Sequence, residues 1–135
     1  MRVVATIENI RLISGFVRDA VRRLPLTDDV LFDIDLAIEE ACANIVQHAY
    51  GPDRAGEMGV RVEVTNASIR VTLTDWGQPF DADAAYLVRD MPVEVRAKGG
   101  MGLLLVHEMM DSVTRTPATS PGGPNVLTLV KHIAR

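Results

Sequence analysis

Glu40, Asn44 and His48 are spaced four residues apart in the run Glu39-Glu40-Ala41-Cys42-Ala43-Asn44-Ile45-Val46-Gln47-His48-Ala49-Tyr50. On an α-helix that spacing puts the three on one face, and Asp33 and Ala37 extend the same stripe. The Asn44 amide offers a neutral oxygen, a hard ligand suited to Mg²⁺. Glu40, one turn earlier, can take a proton from water or a hydroxyl. The same letters also describe a solvated polar face, the usual state of acidic helices.

Two further segments carry chemistry-bearing patterns. Thr74-Asp75-Trp76-Gly77-Gln78-Pro79-Phe80 closes a run that reads as a strand. A carboxylate at a strand end can accept a hydrogen bond from an amino group, and Gly77 lets a flat ring approach the backbone. Alone, the segment reads more readily as an ordinary turn. Lys98-Gly99-Gly100-Met101-Gly102-Leu103 opens a helix. Glycines there clear side chains from the first helical N–H groups, a place that binds phosphate. A glycine hinge has the same composition.

The elements that must position these residues follow from periodicity. Residues 2–7 are expected to form a short edge strand. Asn9 is expected to cap a helix through about Arg23, with Ile10, Ile13, Phe16, Val17, Ala20 and Val21 on one face. Pro25 ends it, and Thr27 caps a second helix from Asp28 to about Ala49. Its stripe of Leu31, Ile34, Ile38, Ala41 and Ile45 has helical spacing. Gly51-Pro52 stops it, and residues 51–57 read as a loop. Val60, Val62 and Val64, then Ile69, Val71 and Leu73, alternate with polar residues around Asn66-Ala67, as in a hairpin with one buried face. Asp75 to Gly102 reads as one long irregular segment, a length that tends to be functional. A helix from Gly102 to about Met110 and strands at 112–116 and 125–133 complete the chain. Helices and strands are partly segregated, which predicts an α+β fold: a two-layer sandwich of a mixed, mostly antiparallel sheet with helices on one face.

Composition bounds the function. The 135 residues fit one domain spanning 1–135, and 47% hydrophobic with 24% charged residues is an ordinary globular balance. One cysteine excludes an intrachain disulfide and a multi-cysteine zinc site. No run approaches the ~18 apolar residues of a membrane-spanning helix. The N-terminus meets a charge too early for a signal-peptide core, so a soluble, cytoplasmic protein is expected. Net charge is −4 and unevenly spread. Residues 1–25 hold five arginines against Glu8 and Asp19, whereas residues 26–50 hold six carboxylates and no Lys or Arg. With few aromatics and an acidic central segment, direct nucleic-acid binding is not expected.

In this order and spacing, the three segments resemble the N, G1 and G2 boxes of the GHKL ATPase superfamily. The fuller resemblance is to the stand-alone anti-sigma-factor serine/threonine kinases of bacteria, and it covers nearly the whole chain. Its most specific part is Glu-x-x-x-Asn followed by His48-Ala49-Tyr50. The resemblance implies the Bergerat ATP-binding fold, with ATP and Mg²⁺ as cofactors. It makes Asn44 the Mg²⁺ ligand and Glu40 the base that activates a serine or threonine hydroxyl. Asp75 would bind the adenine amino group, with Gly77 beneath the ring and Trp76 beside it. Residues from about Asp81 to Gly99 would form the ATP lid. Lys98, Gly100, Met101 and Gly102 would meet the phosphates, and His48 would join the nucleotide contacts. The implied partners are an anti-anti-sigma protein of the STAS type, a sigma factor and a second copy of the chain, joined through the first strand or first helix. The alternative reading is a nucleotide-binding module that regulates a partner by binding alone. In two places the chain departs from the family pattern: Pro79 replaces a glycine of the G1 box, and Pro124-Asn125 stands near a usual Gly-Thr pair. The sequence leaves open whether Asn125 takes over that role.

Overall fold

A computed structural model describes residues 1–50, 56–78 and 101–133. The elements run β1 (Arg2–Val4), α1 (Ile10–Val21), α2 (Asp28–Asn44), a π-helical segment (Ile45–Tyr50), β2 (Glu57–Val64), β3 (Ser68–Asp75), α3 (Met101–Met109), β4 (Ser112–Thr116) and β5 (Asn125–His132). The strands form one sheet in the order β1-β2-β3-β5-β4. Every neighbouring pair is antiparallel. The expected α+β sandwich is present, with no parallel pair in the described sheet.

The hairpin is held by alternation. Ile69, Val71 and Leu73 of β3 are fully or almost fully buried, and Met58 and Val60 of β2 lie beside them. These side chains face α2, whose Ile34, Ala37, Ile38, Ala41 and Cys42 complete the core. Burial pushes the Cys42 thiol up to about 12, so it packs as an inert small apolar group. The Thr27 hydroxyl accepts a hydrogen bond from Val30 N at 3.2 Å, and Asp28 and Asp29 in the first turn complement the positive end of α2.

Three expectations need correction. Asn9 precedes α1 but does not cap it with its side chain. Its Nδ2 donates back to Val4 O at 2.9 Å, while Thr6 Oγ1 accepts from Asn9 N at 3.3 Å. Chain reversal therefore begins at Thr6, because a local side-chain bond to the strand end competes with the helix cap. On α1, Ile10, Ile13, Val17 and Val21 are buried, whereas Phe16 and Ala20 are exposed. The buried stripe is narrow because α1 meets the rest of the fold along one seam. Finally, the second helix does not stay α-helical to Ala49. The Ile45 N–H is shared between Ala41 O and Cys42 O, and the chain widens into a π-helical turn through Tyr50.

Candidate active site

Among the described residues, only three polar or charged side chains are buried: Asn44, Asp75 and Asn125. A buried polar group is more informative than any exposed apolar one, and these three mark the site.

Asn44 is the last residue of α2. Its Nδ2 donates to Glu40 O, one turn back, at 2.8 Å. That bond assigns the amide, since only the NH₂ end can face a carbonyl. Oδ1 is left at 6% residue exposure with no donor among the described residues. A buried, unpartnered neutral oxygen is the donor type that fits Mg²⁺, which typically takes one or two protein oxygens and completes its shell with phosphates and water. Glu40 is half-buried, and no described donor occupies its carboxylate.

Asp75, at the end of β3, lies directly opposite Asn125 at the start of β5. Its Oδ1 accepts from Gly77 N at 3.0 Å and from Asn125 Nδ2 at 2.9 Å. Asn125 Nδ2 also donates to Gly77 O at 3.0 Å, and its Oδ1 accepts from Ala118 N at 2.9 Å. The amide is thus saturated in one orientation and fixes the carboxylate, leaving Asp75 Oδ2 as a free acceptor among the described residues. Burial holds the Asp75 carboxyl above its ordinary range, opposed by the Asn125 and Gly77 hydrogen bonds and the Arg115 charge. Gly77 is required sterically: a Cβ there would stand 2.4 Å from Ala49 O. Gln78 N donates to that same carbonyl at 2.8 Å. The result is an acceptor beside a flush glycine, suited to a flat ring carrying an amino group.

The structure sorts the remaining sequence-derived residues. His48 does not share the face of Asn44: it is exposed while Asn44 is buried, because the π-helical widening at Ile45 breaks the four-residue phase. Trp76 lies on the opposite face of the sheet from Asp75, with the Arg2 guanidinium 4.2 Å from its ring centre. There it lines a hollow with Thr72 and Thr74, so it does not flank the ring site. Met101 and Gly102 form the first turn of α3. At the other end of α3, Lys131 Nζ donates to Met109 O at 2.7 Å and lies 3.5 Å from Asp33 of α2. That ties α3 to the helix bearing Glu40 and Asn44. Lys98, Gly100 and the expected lid fall outside the described residues. The sequence left the role of Asn125 open; the available signal was a polar residue opening an otherwise apolar strand.

The sequence matches the histidine kinase-like ATPase domain family over residues 3–131. It is 35% identical over 118 residues to the serine-protein kinase RsbW of Halalkalibacterium halodurans, covering 84% of this chain and 72% of that one. The corresponding figures for RsbW of Bacillus subtilis are 33% over 118 residues, 84% and 74%. Among solved structures, the RsbU and RsbW domains of a Mycobacterium tuberculosis protein superpose with a TM-score of 0.62 at 18% identity, over 100% of this chain and 33% of that one. A histidine kinase domain from Erythrobacter litoralis gives a TM-score of 0.57 at 19% identity, over 93% of this chain and 63% of that one. The chain thus spans less than two-thirds of either solved structure, and these two likenesses concern the fold.

Proposed function

The chain belongs to the histidine kinase-like ATPase domain family, within its anti-sigma-factor serine kinase branch, and from that membership we propose an ATP-dependent serine/threonine protein kinase acting on an anti-anti-sigma protein of the STAS type. The observation that carries the reading is Asn44, whose buried Oδ1 has no partner among the described residues, one turn from the Glu40 carboxylate, which has no described donor. In this reading the whole chain, 1–135, is one ATP-binding kinase domain.

Asp75 Oδ2 accepts from the adenine amino group, and the base lies against Gly77. Asn44 Oδ1 holds Mg²⁺, which when bound neutralises phosphate charge. The first turn of α3, at Met101 and Gly102, faces the phosphates, joined by Gly100 and Lys98. The Glu40 carboxylate takes the proton of the substrate hydroxyl as that oxygen bonds to the γ-phosphorus. The bond from the γ-phosphorus to the ADP oxygen breaks, and ADP leaves with the electron pair. Catalysis is mainly positioning and charge stabilisation, as phosphoryl transfer requires. His48, exposed within the π-helical turn, is left as a peripheral contact.

In the same proposal the protein sequesters a sigma factor, and phosphorylation stops the anti-anti-sigma protein from competing for it. A second copy pairs through β1 or α1. The exposed Val4, Ile7 and Leu12 support a covered surface there. No described helix is long and apolar enough to cross a membrane, which is consistent with a cytoplasmic regulator.

The test is incubation with γ-labelled ATP and the cognate STAS-type protein. Label that survives acid, on a serine or threonine of the partner, is the expected result. Acid-labile phosphate on histidine, or no transfer despite ATP binding, would overturn it.

A further inference from the structure

The site has two ends, Asn44 on the helix layer and Asp75 on the sheet, and the Tyr50 side chain runs from the turn after Asn44 to the backbone next to Asp75. We propose that Tyr50 is a positioning residue whose hydroxyl, wedged into the end of the β2–β3 ladder, sets the spacing between the Asn44 end and the Asp75 end. This rests on the nucleotide reading above.

The last pair of the ladder toward the site is Met58 with Asp75. The next pair outward would join Glu57 and Trp76. Instead, Tyr50 Oη donates to Glu57 O at 2.6 Å and accepts from Trp76 N at 2.9 Å. The hydroxyl stands where a direct Trp76 N–H to Glu57 O bond would otherwise close the strands. It therefore ends β3 at Asp75 and frees the chain to turn at Gly77.

The same tyrosine closes the π-helical segment that begins immediately after Asn44. Single π turns within α-helices often sit at functional sites. Here the widened turn delivers Ala49 O to Gln78 N and the Tyr50 hydroxyl to Trp76 N. Gly56 leaves room for the ring, since a Cβ there would lie 2.1 Å from Tyr50 Cε1. The turn after Asn44 is thus tied to the chain on either side of Gly77 by the Ala49 O–Gln78 N and Tyr50 Oη–Trp76 N bonds.

Tyr50→Phe keeps the ring and removes only the hydroxyl. The reading for each variant is ATP affinity by calorimetry, with and without Mg²⁺. The parent should bind more tightly with Mg²⁺. In Tyr50→Phe, which loses the part-buried bonds to Glu57 O and from Trp76 N, that tightening should shrink roughly tenfold, the scale of about 1.4 kcal/mol. Ile13→Val in α1, which costs a comparable amount of stability, should keep the full tightening. Gly56→Ala displaces the ring from the other side and should reproduce the Tyr50→Phe loss. Undiminished tightening in Tyr50→Phe, or an equal loss in Ile13→Val, would overturn the positioning role. A parent that binds no ATP would instead remove the nucleotide reading itself.

Discussion

The proposed base end and the proposed phosphate end of the site are built in opposite ways. At the base end, Asp75, Gly77 and Asn125 are locked by mutual hydrogen bonds inside the sheet. At the phosphate end, Asn44 has one bond to the backbone, and the Glu40 carboxylate is free of described donors. Rigid, satisfied groups suit recognition of an invariant flat ring. Open acceptors suit a metal and a proton that arrive with the substrates. The difference teaches that preorganisation is concentrated where the ligand does not change, and open valence where it does.

The sharpest way to break this comparison is to neutralise the open end. Glu40→Gln should lower phosphotransfer by about 10²–10⁴-fold, the usual worth of a general base, while ATP affinity stays near the parent value. Transfer at the parent rate would remove Glu40 from the role of base.

Next comes the locked end. Asp75→Asn keeps an oxygen for Gly77 N and Asn125 Nδ2, but turns an NH₂ toward the base amino group. ATP affinity should fall by roughly 10–100-fold, the scale of a charged hydrogen bond. Stability should move the other way. The folded carboxyl of Asp75 is held above its ordinary range by burial. Its contribution is fully present below the unfolded carboxylate range and is lost as pH rises through the raised folded value. At neutral pH, Asp75→Asn should therefore melt at or above the parent temperature, with the gap closing on acidification. Thermal melts from neutral to acidic pH check the sign.

The smallest of these effects is on Asn125. Asn125→Ala leaves Ala118 N and Gly77 O without their partner and loosens one side of Asp75. Stability should drop by about 1–3 kcal/mol and ATP affinity by roughly tenfold, read by denaturant unfolding and calorimetry. Parent-like affinity would mean that Gly77 N alone suffices to fix the carboxylate.

Much of this was legible in the sequence. The Leu31-to-Ile45 stripe, the Thr27 cap and the β3 alternation are local signals, and each survives in the structure because packing agrees with it; on β2 the expected buried face holds at Val60 but fades to half-buried Val62 and exposed Val64. Glu40, Asn44, Asp75 and Gly77 were legible as candidates because the three segments together resemble the GHKL boxes; taken singly, each also fits a solvated helix face or an ordinary turn. What the sequence hid depends on contacts between distant residues. The pairing of Asn125 with Asp75 exists only through the β3–β5 register. The π-helical turn after Asn44 follows from the anchoring of Ala49 and Tyr50 on Gln78, Trp76 and Glu57, so helical spacing misplaced His48. Trp76 was misplaced for a simpler reason: consecutive residues of a strand point to opposite faces, and its neighbour Asp75 had already taken the inner one.

Asn44 is the residue on which the proposed metal site depends most directly. Calorimetric titration of the protein with ATP, with and without Mg²⁺, should show binding that Mg²⁺ tightens. In Asn44→Ala the Mg²⁺ effect should vanish, while metal-free binding through Asp75 persists. An Asn44→Ala protein that keeps the full Mg²⁺ effect would contradict the placement of the metal, and with it the division of the site into a locked end and an open one.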